Sequence, residues 1–524
     1  MISLIRIATR GSDLALWQAN HIAAKLNAIG LKTELKIIKT QGDKIQHLSL
    51  EKLEGKGFFT KEIEDALLNN EADLAVHSHK DLPTESHPGL MIAAVTDRED
   101  PSELLLIRKE SMDAKLKFSL KKNAVVGTSS SRRKSQLLAF RQDLVLKDLR
   151  GNVPTRVDKL RNADYDAILI ASAGVERLEL DISDLHSEKL NPKEFIPAPA
   201  QGVLAIQIRK GEKELFEKLQ TINHADVATQ ISIERKVLNL FQGGCMMPVG
   251  AYCEYDDDKE VYKAWISKSE TGEHLPVGIF VESKNADGLA EKIVSKIKSV
   301  KPASVFITRS LKREDYFHRI LSHHGFMVEG KSLIEMKPIP FGSTPDTDWI
   351  FFSSKHAVKF FFLQKPEIGS QKFGCIGKAT AEAIRKFGRR ADFIGYSTDT
   401  KMTGKQFASR VGSGTVLFPM AKGSMRSVQN GFVKSGQTID LVVYETLKAD
   451  FVVPKTDYEI MLFTSPSNVE SYFEKNKIIL SQKIIAMGEA TAGTLKKFGV
   501  FHPTLPDAFD DVALTRSVFY ASST

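Results

Sequence analysis

LIRIATRGSDLALWQANHIAAKLNAIG, residues 4–30, decides the fold class. A β-branched run reads as a strand, a Gly-Ser turn follows Arg10, and the remainder carries the apolar spacing of a helix. The same strand-to-helix handover recurs downstream. It returns at ADLAV (72–76), at AVVGTSS (124–130) before RRKSQLLAFR, and at YDAILIASAG (165–174) before VERL. Such alternation predicts α/β lobes with helices on both faces of mainly parallel sheets, where sites gather at the carboxyl ends of the strands. Residues 249–283 break the rhythm with three strand-like runs and a helical stretch to about 298, which reads as a small α+β domain.

At 524 residues the chain is too long for one core. Near KPASVFITRS the pattern restarts, and an internal repeat follows. FFSSKHAVKFF at Phe351 resembles LFTSPSNVESYF at Leu462, and CIGKATAEAIRKFG at Cys375 resembles AMGEATAGTLKKFG at Ala486. Both pairs are displaced by 111 positions, so residues 301–524 hold two equivalent lobes. The period is too long for a solenoid.

The balance of 73 Lys+Arg against 65 Asp+Glu gives a net charge of +8, modest for this length and without a long basic run. It fits an anionic small molecule rather than nucleic acid. Three cysteines without CxxC spacing argue against a disulfide framework or a structural zinc and for a reducing compartment. No apolar stretch reaches the roughly 18 residues that span a bilayer. The expectation is a soluble, cytoplasmic protein and a monomer, with neither nucleic acid nor membrane as partner.

Arginine placement points to the ligand. Arg10, Arg132, Arg133, Arg150, Arg156 and Arg177 all stand where a strand hands over to a helix, so their guanidinium groups can converge on one crevice. Thr128, Ser129 and Ser130 add hydroxyls at a helix start. Forked guanidinium groups suit a ligand with several carboxylates. In HSHKDLPT (77–84), His77 and His79 alternate, but no ligand at metal spacing supports them, and no metal is expected. Asp81 beside Lys80 is an acid able to stay ionised inside a crevice. Cys245, in FQGGCMMPVG (241–250), sits in a glycine-flanked loop where a soft nucleophile can move.

Six blocks together resemble the porphobilinogen deaminase (hydroxymethylbilane synthase) family: RIATRGSDLALWQA, GKGFFTKE, AVHSHKDLPT, VGTSSSRR, LRGNVPTR and GGCMMPVG, in the family's order across residues 1 to about 298. The resemblance implies two periplasmic-binding-protein-like lobes, residues 1–98 with 200–219 and residues 99–199, plus a cofactor-carrying α+β domain over 220–298. It implies a dipyrromethane cofactor on Cys245 through a thioether. It makes Asp81 catalytic, hydrogen-bonding the pyrrole N–H groups, stabilising positive charge on both reacting rings and shuttling the proton. Lys80, Asp81, Ser129, Arg132, Arg133 and Arg150 match cofactor-binding positions; Arg10, Ser12, Arg150, Arg156 and Arg177 match substrate-binding ones. Lys52, Lys56 and Phe59 match the edge of the cleft. Ser131 departs from the apolar residue the family often carries before its arginine pair.

The two repeats, ITRS (307–310), VVYETL (442–447) and FTSPSNV (463–469) resemble the uroporphyrinogen-III synthase family. That resemblance implies one lobe of residues 301–338 with 447–524 and another of 345–440, with no metal or cofactor. Tyr444 matches a tyrosine that assists departure of a hydroxyl, and Thr464 and Ser465 are candidate carboxylate binders. Met420 departs from the arginine usual after its strand. The implied function is a bifunctional tetrapyrrole-biosynthesis enzyme, making hydroxymethylbilane from porphobilinogen and then uroporphyrinogen III. A deaminase with a silent second half, or a two-lobed anion-binding module, are the competing readings; the module has no use for Cys245 or Asp81.

Overall fold

The computed structural model describes residues 4–40, 60–85, 87–242, 247–395, 400–433, 435–451, 453, 457–479 and 481–523. Cys245, Lys52, Lys56 and Phe59 lie outside them. The chain forms two compact units, residues 1–301 with 522–524, and residues 302–521.

The opening strand, Ile5–Thr9, buries Ile5 and Ile7, and the helix Asp13–Ala28 answers with Ala19, Ile22, Ala23 and Leu26 on one face. That spacing puts an apolar stripe against the sheet, each fully buried Ile or Leu contributing roughly 1.5–3 kcal/mol. The sheet runs in the order Thr33–Ile37, Ile5–Thr9, Leu74–Ser78, Leu204–Arg209, Leu90–Val95. Its first three strands are parallel, and Leu204–Arg209 is antiparallel to both its neighbours. A second five-stranded sheet repeats the plan: Val145–Lys147, Val125–Gly127, Ala167–Ala171, Glu103–Ile107, His186–Leu190, again with three parallel strands and an antiparallel fourth. Apolar clusters cover both faces of this second sheet. In each sheet the antiparallel strand is the one that has just crossed from the other lobe.

The two crossings, residues 96–102 and 191–203, run side by side. Glu99 N donates to Gly202 O at 3.0 Å, and Leu204 N donates to Thr96 Oγ1 at 3.1 Å. Gly202 has φ +89°, and a Cβ there would stand 2.5 Å from Glu99 O, so only glycine allows this approach. A three-stranded antiparallel meander, Val249–Asp256, Val261–Lys268 and Val277–Ser283, forms the small domain. The helix Ala225–Leu240 packs against it, and Ala251 N donates to Pro197 O at 3.1 Å, which docks the meander on the second crossing.

The second unit holds a four-stranded parallel sheet, Met327–Gly330, Ser304–Ile307, Ile460–Phe463, Lys483–Ala486. Beside it is a six-stranded sheet, Ile334–Pro338, Thr438–Lys448, Val416–Ala421, Trp349–Phe352, Lys372–Cys375, Phe393–Ile394. The expected repeat holds in its elements. Strand Trp349–Phe352, helix Lys355–Phe362, strand Lys372–Cys375 and helix Lys378–Lys386 reappear 111 positions later as Ile460–Phe463, Pro466–Lys475, Lys483–Ala486 and Glu489–Lys497, the one difference being a longer first helix. Pairing repeats too: Trp349 lies opposite Val416 as Ile460 lies opposite Val305. The chain order does not repeat, because Ser304–Ile307 precedes its partner strand and Val416–Ala421 follows its own. Ile334–Pro338 pairs antiparallel with residues 444–448, so both passages between these lobes share one two-stranded ribbon.

Candidate active sites

In the first unit the candidate residues cluster at the carboxyl ends of the parallel strands. Leu74–Ser78 runs into a 3₁₀ turn, His79–Asp81, which exposes Asp81. Lys80 Nζ donates to Gln201 Oε1 at 3.1 Å, in the second crossing. Burial first, opposed by Asp81 and reinforced by Arg133 and Arg132, lowers its pKa to about 8. Burial also lowers Arg156 and Arg177, and Asp81 works against it in both, so its charge reaches guanidinium groups carried by the other sheet.

Arg132 and Arg133 open the helix Ser131–Phe140, whose cap is Ser130. Both are buried, and both fork onto one carboxylate: Arg132 Nη2 to Glu103 Oε1 at 2.5 Å, Arg133 Nη2 to Glu103 Oε2 at 2.6 Å. Arg132 Nη1 also donates to Ile196 O at 2.8 Å, and Arg133 Nη1 to Leu169 O at 2.9 Å. Glu103 is fully buried; burial pushes its pKa up, but the two arginines outweigh that and hold it at about 2. The sequence reading overlooked Glu103. Its signal is a carboxylate heading ELLLI, a strand buried at every position, where an unpaired charge would be prohibitive.

Among the described residues, Arg133 Nε and Arg150 Nη2 are enclosed guanidinium donors without a partner. Ser129 Oγ ties the two turns together, donating to Leu149 O at 3.0 Å and accepting from Leu149 N at 3.0 Å. Arg156 Nε donates to Gly151 O at 2.8 Å; burial first, then Arg133, lowers its pKa to about 10. Arg177, buried, donates from Nε to Glu99 Oε2 at 2.8 Å and lies over the Trp17 ring at 5.6 Å. Arg10 follows the strand Ile5–Thr9, and Ser12 stands at the cap of the next helix, where its carbonyl accepts from Leu16 N at 2.9 Å and its side chain makes no capping bond. The arrangement is a crevice with more positive than negative charge, one exposed carboxylate, and unspent donors.

Arg235, on the helix Ala225–Leu240, was also not anticipated. It donates to His79 O at 3.1 Å, Leu82 O at 3.3 Å and Pro83 O, bracketing Asp81 with backbone contacts. His77 Nε2 lies 3.0 Å from Gln207 Oε1, and burial lowers His77 to about 4 and His79 to about 3. Both are neutral near pH 7. Among the described residues no cluster of three or more His, Cys, Asp or Glu is placed to hold a metal. Cys253 is buried, its N donates to Glu234 Oε1 at 2.7 Å, and burial pushes its thiol pKa far up.

In the second unit, Tyr444 stands in the ribbon between the lobes, at a register shift opposite Ala421. It is buried, stacked on Phe360 at 5.2 Å, with its hydroxyl 3.5 Å from Ser354 Oγ; burial raises its pKa. Ser354 and Ser465, equivalent in the repeat, both cap the helices they precede. Thr464 Oγ1 donates to Thr308 O at 2.9 Å and accepts from Asn468 Nδ2 at 3.3 Å. Both hydroxyls expected to hold carboxylates therefore already serve local structure. Met420 is buried and meets Gln429 Nε2 through sulfur at 3.7 Å.

Residues 5–217 match the family model "Porphobilinogen deaminase, dipyromethane cofactor binding domain", and residues 332–516 match "Uroporphyrinogen-III synthase HemD". Porphobilinogen deaminase of a Nitratiruptor species is 43% identical over 56% of this chain and 93% of its own length. That of Syntrophomonas wolfei subsp. wolfei is 47% identical over 48% of this chain and 80% of its own. A solved uroporphyrinogen III synthase mutant from Thermus thermophilus covers 41% of this chain and 95% of its own, at 15% identity and a TM-score of 0.29. The chain belongs to the porphobilinogen deaminase family through its first unit and carries a uroporphyrinogen-III synthase domain in its second, the make-up of a bifunctional tetrapyrrole-biosynthesis enzyme.

Proposed function

We propose that the first unit joins four porphobilinogen molecules, releasing ammonia at each addition, and frees hydroxymethylbilane by hydrolysis. The second unit closes that linear tetrapyrrole with inversion of ring D and loss of water, giving uroporphyrinogen III. The observation that carries the first step is Asp81, exposed on its turn yet within electrostatic reach of Lys80, Arg156 and Arg177.

The residues fit a dipyrromethane: its carboxylates would meet the enclosed, unpartnered Arg133 Nε and Arg150 Nη2, with Lys80, Ser129 and Arg132 alongside. When bound to Cys245, it supplies the free pyrrole α-carbon at which the chain grows. Arg10, Ser12, Arg156 and Arg177 take the acetate and propionate of the incoming monomer. In each addition the aminomethyl C–N bond breaks, a C–C bond forms, the α-carbon loses its proton, and ammonia leaves. Asp81 accepts hydrogen bonds from the pyrrole N–H groups and stabilises the positive charge on both rings; it also receives the departing proton.

In the second unit Tyr444, its proton held by a raised pKa, donates to the departing hydroxyl; Ser465 Oγ, an acceptor from Asn468, offers its own proton to a carboxylate, and Thr464 does so on releasing Thr308 O. The chain acts as a cytoplasmic monomer; buried, unpaired Cys253 and Cys375 favour a reducing compartment. Among the described residues no helix is long and apolar enough to cross a membrane. Supplying porphobilinogen and separating the uroporphyrinogen isomers tests both halves. Type III requires both, and type I alone would leave only the first.

A further inference from the structure

Within the repeat of the second unit, two positions carry a cation whose equivalent is uncharged. Arg309 follows the strand Ser304–Ile307 of the four-stranded sheet; the position 111 residues later is the buried Met420. Lys355 opens the helix after Trp349–Phe352 of the six-stranded sheet, and its counterpart 111 residues later is Pro466. Arg309 and Lys355 thus stand at the carboxyl ends of strands in different sheets, each where its repeat equivalent is uncharged.

These two cations lie within electrostatic reach of each other. Loss of water around the ammonium first, and Arg309 second, lowers the pKa of Lys355, while Asp511 and Asp315 oppose the shift and Lys386 adds to it. Three cations thus face two carboxylates. Both carboxylates are already committed: Asp511 Oδ1 accepts from Arg309 Nη2 at 2.7 Å, and Asp315 Oδ2 accepts from Lys312 N at 2.9 Å at the start of the helix Tyr316–His323. Lys355 makes no hydrogen bond or ion pair among the described residues and is solvent-exposed. Among the described residues Arg309 Nε is enclosed and has no partner. His356, lowered to about 4 by burial and then by Lys355 and Lys359, adds no charge near neutrality. Lys355 adjoins Ser354, whose Oγ is 3.5 Å from the Tyr444 hydroxyl. An unneutralised ammonium beside a half-used guanidinium, next to the candidate acid, is what a carboxylate of the ligand would complete.

We propose that Lys355 and Arg309 form a carboxylate subsite that anchors one acetate or propionate side chain of the linear tetrapyrrole against Tyr444. The proposal rests on the synthase reading of the second unit. The subsite fixes one end of a flexible chain across both lobes, so its work is positioning, expressed in substrate affinity.

The test uses the full chain and freshly prepared hydroxymethylbilane, following uroporphyrinogen III formation. Lys355→Gln should raise KM about tenfold with kcat retained, as expected for one charge-assisted contact. Lys355→Glu should raise KM further, and Lys355→Arg should stay near wild type. Arg309→Gln should also raise KM, with its melting temperature recorded because it loses the Asp511 pair. Lys355 is exposed, so its variants carry the decision if Arg309→Gln unfolds. A wild-type KM in both Lys355→Gln and Lys355→Glu, or a loss confined to kcat, overturns the subsite alone. A wild-type chain that forms no type III isomer overturns the synthase reading, and the subsite with it.

Discussion

Glu103 shows what a single buried charge does for this site. It receives one nitrogen from each of Arg132 and Arg133, and so fixes the spacing of two guanidinium groups that Ile196 O and Leu169 O hold from their other side. Glu103→Gln removes the counter-charge from two buried cations, which should cost about 3–5 kcal/mol, read from urea unfolding at pH 7. A variant as stable as wild type would refute the pairing. The pH dependence has a definite sign. Its folded pKa, about 2, lies below the ordinary 4.5, so the stabilisation is complete above 4.5 and is lost as pH falls from there towards 2. Wild type should weaken over that window more steeply than Glu103→Gln. Lys80 has the opposite relation to pH. Its folded pKa of about 8 is below the ordinary 10.5, so folding is penalised while it is charged and the penalty fades as pH rises through 8 to 10.5. Its attraction for carboxylates fades over the same rise. The alkaline limb of kcat/KM for porphobilinogen should therefore begin near pH 8 and move upward in Lys80→Arg. The arginines were legible because each follows a strand; for Glu103 the run ELLLI marks a charge in need of a partner, but not which one, because Arg132 and Arg133 stand 29 and 30 residues away.

At the scale of elements, the turn carrying Asp81 is three residues long and holds itself weakly. Its geometry comes from outside: Arg235 grips the carbonyls of His79, Leu82 and Pro83 from the helix Ala225–Leu240. Arg235→Gln shortens and neutralises that grip, so the carboxylate of Asp81 should drift while the arginines that bind carboxylates stay in place. The expected outcome is a kcat lower by about 10–100-fold with KM for porphobilinogen nearly unchanged, since small misplacements of a reacting group carry costs of that order. An equal rise in KM would instead mean that the whole crevice had deformed. Strands and helices themselves were readable, since alternation and the 3.6-residue stripe are local properties of sequence. The repeat was readable to the residue, with LFTSPSNVESYF and FFSSKHAVKFF forming matching strands and helices. What sequence did not reveal was how the lobes are joined. The side-by-side crossings depend on Gly202 meeting Glu99, and the turn on Arg235, both contacts between segments about 100 residues or more apart.

Across the whole molecule, the two units have separate cores and separate candidate acids, Asp81 in one and Tyr444 in the other. Their chemistries should therefore fail independently. Asp81→Asn retains the shape of its turn but loses the charge that stabilises the reacting pyrroles, so neither uroporphyrinogen isomer should accumulate from porphobilinogen, even with an intact second unit. Tyr444→Phe keeps the ring stacked on Phe360 and removes only the hydroxyl near Ser354. Ammonia release should continue at the wild-type rate, because no residue of the first unit has changed. The bilane it produces would then close without inversion, and product should shift from type III towards type I. If Tyr444 is the proton donor to the leaving hydroxyl, the rate of type III formation should fall by about 10²–10⁴-fold, the range for general acid catalysis. Wild-type proportions of type III in Tyr444→Phe would leave the hydroxyl without a part in the reaction, and would place the burden of ring inversion on how the cleft holds its substrate.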